Sequence, residues 1–167
     1  AASAIHELFM AGRNSGPEGL VSLRDSGFLA DLVGKVSGLA YHYRSAAAAD
    51  TSPLPLAGDR MPNVPLGAAS DGWLADWQRH TGCTLLAVCA GEDDGALRRQ
   101  LGEYERRYAG RLAARSLPHA PQSLVGADGA AKAYLLRPDG YVAARAALDD
   151  SRAIDASLAA WLTPAAR

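Results

Sequence analysis

The sequence predicts an α/β domain in which a strand–helix–strand unit is followed by a β-hairpin and a closing helix. The apolar run TLLAVCAG is typical of a buried strand. After it, Leu97, Leu101, Tyr104 and Tyr108 recur at the spacing of one helical face. The stretch YLLRPDGYVAAR, residues 134–145, places two apolar runs around a Pro-Asp-Gly corner, which is typical of a hairpin.

Capping residues, glycines and a proline indicate where these elements begin and end. Asp93 or Asp94 is a candidate N-cap for the first helix, and Gly110 is a candidate stop for it. The stretch RLAARSLP predicts a second, weaker strand. In the hairpin, Pro138 presets the first corner of a type I turn, and Gly140 supplies the positive φ needed to enter the next strand.

The last helix is predicted to begin near Asp150 or Ser151 and to end before Pro164. Its apolar positions are Ile154, Leu158, Trp161 and Leu162. The order of elements as a whole resembles the layout of the thioredoxin-like fold.

The first part of the chain predicts a helical arm. A helix is expected over 3–11, and one helix or two short ones over 20–36, where Gly27 interrupts the pattern. The stretch SGLAYHYR is expected to be extended, and the Ala- and Pro-rich residues 45–57 to form a linker on the surface. This predicts a helical arm over 1–44, a linker over 45–57 and a thioredoxin-like domain over 58–167.

Two further elements are expected at the start of that domain. The Pro-punctuated stretch GDRMPNVPLG predicts a path into a short edge strand. The stretch GWLADWQRH predicts one short helix with Trp73, Leu74 and Trp77 on the same face.

Composition excludes several classes of function. The 167 residues include 17 basic and 18 acidic side chains, so no basic surface for nucleic acid is predicted. The sequence contains no apolar run of about 18 residues that could cross a membrane, and no signal peptide is visible at the N-terminus. Because residue 1 is Ala, we expect the chain to start inside a longer reading frame or to have been trimmed.

Thiol redox chemistry of the thioredoxin type is not expected. In that fold the reactive cysteines follow the first core strand, at the N-terminus of a helix whose dipole lowers the thiol pKa. Here that position reads AGEDDGAL, and Cys89 is expected inside the strand. Along an extended strand Cys83 and Cys89 would lie roughly 20 Å apart, beyond disulfide reach. Two reduced thiols favour a cytoplasmic location.

No catalytic, cofactor-binding or metal-binding residue is predicted in this chain. The histidines, at positions 6, 42, 80 and 119, form neither a helical pair nor a cluster with cysteine. His42 between two tyrosines fits a surface aromatic patch or an alternating strand. Ser123 and Ser151 lack a nucleophile context, Asp149 and Asp150 suggest helix capping, and Arg137 and Arg145 suggest solvated edge residues.

Four stretches together resemble the C-terminal region of FAD-dependent aromatic-ring hydroxylases, the group A flavin monooxygenases that act on phenols, hydroxyphenylpropionates and aromatic polyketides. In order, they are VSGLAYHYR at 36–44, LAGDRMPNVPL at 56–66, TLLAVCAG and YLLRPDGYVAAR. The resemblance covers residues from about 36 to 162. It implies a thioredoxin-like domain without a cysteine pair, whose terminal hairpin is residues 134–145.

The resemblance implies that the chemistry lies elsewhere in a larger protein. A Gly-x-Gly-x-x-Gly turn for the flavin pyrophosphate is missing here, and Gly58-Asp59-Arg60 matches the opening of the C-terminal domain better than a flavin ribose motif. This implies a non-catalytic accessory domain without a cofactor of its own, in a parent hydroxylase that uses FAD, NAD(P)H and O₂. Its expected partners are the flavin and substrate domains of that parent.

Residues 3–36 are predicted to provide a self-associating surface, which makes a homodimer a further expected arrangement. Two rival hypotheses stay open. One is a stand-alone thioredoxin-like interaction module without redox activity. The other is a peroxiredoxin-like peroxidase, which would require a reactive thiol.

Overall fold

A computed structural model describes residues 42–44, 52–67, 72–92 and 95–162. Their centre is a single four-stranded sheet in the order β2-β1-β3-β4. β1 and β2 are parallel, whereas β3 is antiparallel to both of its neighbours. The strands are β1 (Cys83–Val88), β2 (Leu112–Leu117), β3 (Lys132–Leu136) and β4 (Val142–Ala147). The predicted strand–helix–strand unit and hairpin are therefore confirmed.

Within the described residues, three α-helices accompany the sheet: α1 (Gly95–Arg107), α2 (Gln122–Val125) and α3 (Ser151–Trp161). Gly110 follows α1 with a φ of 75°, as its predicted role as a stop requires. The carboxylate of Asp150 caps α3 by accepting a hydrogen bond from the Ala153 amide at 2.9 Å. The fold is α/β and thioredoxin-like. The helices predicted over 3–11 and 20–36, and the cap at 93–94, lie outside the described residues.

Both faces of the sheet are covered, which explains why every residue of β1 is buried. Alternate residues of a strand point to opposite faces. Leu85, Ala87 and Leu135 pack with apolar residues of α1 and α3, including Leu101 and Leu158. The opposite face packs with apolar residues of 61–67, with Leu74 and with α2. Its members include Leu86, Val88, Tyr134, Leu136, Met61 and Leu124.

The segment before β1 differs from the expectation. The predicted edge strand is replaced by two isolated bridges, Arg60 with Tyr141 and Pro65 with Trp73. Prolines lack the amide that a regular ladder needs, so the chain follows an irregular path. Leu54 and Leu56, at the end of the predicted linker, are buried because they cover apolar groups that would otherwise face water. The boundary at residue 57 remains a prediction.

The helix predicted in GWLADWQRH is a 3₁₀ helix, Leu74–Gln78, and its apolar face differs from the one expected. Trp73 precedes the helix in extended conformation, so its side chain is about half exposed whereas Leu74 is fully buried. Trp77 packs partly against the core. The error arises because a residue at the cap does not share the face of the residues that follow it.

Candidate interaction surface at the end of the hairpin

The turn of the hairpin has the predicted geometry. Gly140 has a φ of 82° and its amide donates to the Arg137 carbonyl at 3.0 Å. The Arg137 amide donates in turn to the Tyr141 carbonyl at 2.8 Å. These bonds fix where the side chains of Arg137 and Tyr141 begin, at the end of β3 and the start of β4.

Arg137 is the centre of an aromatic cluster. Its guanidinium carbon lies 5.9 Å from the ring centroids of both Tyr43 and Tyr141 and 5.7 Å from that of Trp161. Arg60 lies 5.6 Å from the Tyr141 ring, and the two tyrosine rings meet edge to face at 5.0 Å. The distances between the arginine guanidinium carbons and the ring centroids are within the range of cation–π attraction. We call Tyr43, Arg60, Arg137, Tyr141 and Trp161 the hairpin-end cluster.

The hairpin-end cluster faces solvent. Tyr43 is 65% exposed and Trp161 is 50% exposed. Among the described residues, only these two and Trp73 are large apolar side chains classed as exposed. Arg137 is therefore not an isolated solvated residue of the sheet edge, as the sequence suggested. It lies between aromatic rings contributed by the segment 42–44, the hairpin and the end of α3.

The segment 42–44 is fixed to the domain by backbone and side-chain bonds. The Tyr43 amide donates to the Gly58 carbonyl at 2.6 Å. Arg44 donates through Nε and Nη2 to the two carboxylate oxygens of Asp59, at 2.5 and 2.6 Å. Residues 42–44 are exposed and form no strand, so of the two alternatives for His42 the described residues fit a surface position and not an alternating strand.

Asp59 is held in its charged form. Its burial raises the pKa of the carboxyl, but hydrogen bonds from Arg44 and from the Leu56 amide, with the charge of Arg44, more than offset this. The net result is an Asp59 pKa below the ordinary value. Asp59 thus joins the segment 42–44 to the start of the domain.

Arg145 also differs from the expected solvated edge residue. Its Nη1 lies 3.3 Å from the hydroxyl of Ser52 and 3.4 Å from the Pro55 carbonyl, to both of which it donates. Arg145 is only partly exposed and pairs across the hairpin with Tyr134. These hydrogen bonds hold the segment 52–56 along the edge strand β4. The segment therefore protects that edge from pairing with other chains.

A cleft of about 620 Å³ lies at the opposite end of the sheet. It is lined by the end of β1, the first turn of α1, the start of β3 and the end of β4, including Cys89, Glu92, Leu97, Ala131 and Leu148. The expectation that Cys89 lies inside β1 was wrong, because the strand ends at Val88. The position that carries reactive cysteines in thioredoxin-like folds therefore has one thiol beside it.

That thiol has no partner cysteine within reach. Cys83 begins β1 and Cys89 follows its end, and neither is in a disulfide. Burial raises the pKa of the Cys83 thiol, which disfavours the reactive thiolate there. His119 at the cleft end has a φ of 51°, and its Nε2 lies 2.9 Å from a Glu92 carboxylate oxygen. This exposed pair links the loops after β1 and β2.

The other histidine and serine residues considered in the sequence analysis lie in structural positions of the fold. His80 lies 3.0 Å from the Thr84 hydroxyl through Nε2 and accepts from the Gly82 amide through Nδ1. Ser123 is in α2 and Ser151 begins α3. Within the described residues, no group of three His, Cys, Asp or Glu side chains could hold a metal ion. Nor is any described helix long and apolar enough to cross a membrane.

Residues 58–60 do not fit a flavin. Gly58 has a φ of 92°, and a Cβ built there would lie 2.3 Å from the backbone carbon of Tyr43. The glycine is therefore explained by the close approach of the segment 42–44, without any pyrophosphate. The Asp59 carboxylate, which would have to accept from a ribose hydroxyl, already accepts from Arg44 and Leu56.

Comparison with solved structures places this fold among hydroxylases. OxyS anhydrotetracycline hydroxylase from Streptomyces rimosus is 26% identical, with a TM-score of 0.58 over 86% of this chain. BexE, studied for oxidation during BE-7585A biosynthesis, is 28% identical, with a TM-score of 0.51 over 82% of this chain. The matched regions are 27% and 25% of those proteins, so this chain spans about a quarter of their length. No curated protein matches the chain.

The family comparison covers most of the described domain. The model for the C-terminal region of aromatic-ring hydroxylases matches residues 54–165, from the buried Leu54 to the residues just after α3. This chain belongs to the aromatic-ring hydroxylase C-terminal family.

Proposed function

We propose that this chain is the non-catalytic C-terminal accessory domain of an FAD-dependent aromatic hydroxylase of the phenol type. The observation that carries the proposal is the family match over residues 54–165, together with a structural match that spans only 27% of a hydroxylase neighbour. The parent reaction would be ring hydroxylation that consumes NAD(P)H and O₂. FAD, when bound in the parent, would supply the oxygen chemistry.

The contacts of the candidate residues support a non-catalytic role for this domain. The one Gly-Asp pair that could suggest a flavin site is used to bind the segment 42–44. Cys83 and Cys89 occupy opposite ends of β1, so they cannot exchange electrons as a disulfide pair. What remains for the domain is a structural or assembly role, in which it stabilises the catalytic region of the same polypeptide.

The proposal includes the partners and location of the parent. The flavin and substrate domains of the same polypeptide would be the main partners, with a homodimer as a second arrangement. The self-association predicted for residues 3–36 lies outside the described residues and remains part of this proposal. The domain boundaries at 44 and 57 also remain part of it, as does a cytoplasmic location, which two cysteines outside any disulfide favour.

The size of the natural polypeptide tests the proposal directly. Extract of the source cells would be blotted with an antibody raised against this domain, and the recognised protein would be purified. We expect a band several times larger than 17.4 kDa, with the yellow absorbance of flavin in the purified protein. A natural protein of 17.4 kDa without flavin would contradict the proposal.

That contrary outcome would favour the second candidate, a stand-alone thioredoxin-like interaction module. The exposed aromatic and arginine side chains of the hairpin-end cluster favour this candidate, because such residues are enriched at binding surfaces. Partners captured on the wild-type domain but lost with a Trp161→Ala variant would then support it.

A further inference from the structure

The composition of the hairpin-end cluster is typical of a binding surface. Tyrosine, tryptophan and arginine are the residues most enriched among those that dominate binding energy. Here they form one group around Arg137, in which Tyr43 and Trp161 are half exposed or more, while Tyr141 is buried and packs edge to face against Tyr43. A partner could cover the two exposed rings and remove them from water together.

The cluster is held in place before any partner arrives. Tyr43 is anchored through its backbone to Gly58, and the Arg137 guanidinium is held by the Asp139 carboxylate at 2.5 Å as well as by the rings. Side chains that are already ordered lose little conformational entropy when a partner binds. This favours docking of a structured surface.

The charges of the cluster favour a partner that carries a carboxylate group. Arg60 and Arg137 both lie over the ring of Tyr141. Asp139 neutralises Arg137, whereas no carboxylate of the described residues lies within ion-pair distance of Arg60. An incoming carboxylate could accept hydrogen bonds from Arg60 and from the remaining donors of Arg137.

We propose that the hairpin-end cluster docks against a carboxylate-bearing segment of the flavin-containing region of the same polypeptide. This inference rests on the proposed function and adds the surface and its chemistry. About three quarters of the length of the neighbours OxyS and BexE lies outside the region that this chain matches, which provides the partner. Such a segment would cover two exposed aromatic rings and Arg60, which has no carboxylate partner in the described part of the chain.

Hydroxyl-radical footprinting read by mass spectrometry tests the proposal residue by residue. Trp161 and Trp73 form an internal pair, because they are 50% and 53% exposed and only Trp161 belongs to the cluster. In the 167-residue chain the two should be oxidised at similar rates, because their exposed fractions are similar. In the natural full-length protein, Trp161 and Tyr43 should be oxidised several-fold more slowly, with Trp73 unchanged.

Charge reversal tests the carboxylate. An Arg60→Glu variant of the full-length protein should restore oxidation of Trp161 toward the rate in the short chain. The matched control is Arg99→Glu on α1, which makes the same change of charge at an exposed site outside the cluster and should leave Trp161 protected. Protection that survives Arg60→Glu would overturn the assignment of a carboxylate partner.

Two other outcomes overturn the docking proposal itself. Equal oxidation of Trp161 in the short and full-length proteins would show that nothing covers the cluster. Protection of Trp161 that grows with the concentration of the short chain alone would assign the surface to a second copy. Failure of the proposed function is recognised separately, because then no flavin-containing full-length protein exists to be compared.

Discussion

Tyr134 and Tyr108 are two fully buried tyrosines whose hydroxyl groups have different surroundings. The Tyr134 hydroxyl donates to the Leu124 carbonyl at 2.6 Å and so ties β3 to α2. The Tyr108 hydroxyl has no hydrogen-bond partner among the described residues. A buried polar group without a partner costs free energy, whereas a paired one makes a modest net contribution.

Replacing each tyrosine by phenylalanine should therefore have different effects on stability. Tyr134→Phe is expected to lower the free energy of unfolding by about 1–2 kcal/mol, because it leaves the Leu124 carbonyl unsatisfied. Tyr108→Phe is expected to leave stability unchanged or to raise it. Urea denaturation of the two variants checks this. A loss at position 108 as large as that at position 134 would show that the Tyr108 hydroxyl is satisfied.

Tyr134 also predicts how stability changes in alkali. Burial raises the pKa of Tyr134 to about 12, against an attraction from Arg145 that lowers it. Between pH 10 and 12 the unfolded state would lose this proton while the folded state keeps it, so stability falls as pH rises. The loss is on the order of 2–3 kcal/mol by pH 12. Denaturation between pH 9 and 11.5 should show a smaller decline for Tyr134→Phe than for the wild type.

The lowered pKa of Asp59 predicts that the stability of the domain changes at acidic pH. Its pKa is lowered on folding, so its stabilising contribution is complete above the unfolded value near 3.8 and is lost as pH falls through the folded value. Asp59→Asn should cost about 1–3 kcal/mol at pH 7, as for other hydrogen bonds to charged groups. The difference between variant and wild type should shrink below pH 4. A difference independent of pH would assign the effect to packing.

At the scale of elements, glycine positions decide how closely segments approach. Gly58→Ala should destabilise the domain by more than about 2 kcal/mol, because a positive φ and an overlap with the Tyr43 backbone act together. Gly102→Ala, inside α1 with nothing within 4 Å of the added carbon, should stabilise it by about 0.5–1 kcal/mol. Thermal unfolding of both variants tests this, and equal losses would contradict it.

The start of α3 provides a second prediction for an element. Asp150→Ala removes the side chain that accepts from the Ala153 amide and should cost about 1 kcal/mol. Asp149→Ala is the matched control, since it removes a neighbouring carboxylate that does not cap the helix. The comparison of their unfolding midpoints separates capping from a general effect of negative charge near the helix.

The elements also show what local sequence can predict. The hairpin turn, β1, α1 and α3 were predictable because turn residues, capping residues and hydrophobic periodicity all act within a few positions. α2 was missed because it has only four residues, between Pro121 at its N-cap and Gly126 at its C-cap. The irregular path of residues 52–67 was missed as well, since it depends on covering one face of a sheet that forms from distant segments.

At the scale of the whole molecule, the proposal predicts the effect of removing this domain from the parent hydroxylase. Truncation should lower thermal stability or assembly, while the absorbance and reduction of the bound flavin remain recognisable. Stability of the truncated protein and its flavin spectrum would be measured together. A truncated enzyme that stays equally stable but loses only the hydroxylation step would contradict a structural role.

The sequence by itself determined the thioredoxin-like order of elements and the family resemblance, because both depend on local patterns that occur in a fixed order. It also predicted the hairpin turn with its glycine. The hairpin-end cluster was decided only by the tertiary structure. Tyr43, Arg137 and Trp161 come from segments far apart in the chain, and only the pairing of the strands and the packing of α3 bring the partly buried arginine between the two rings.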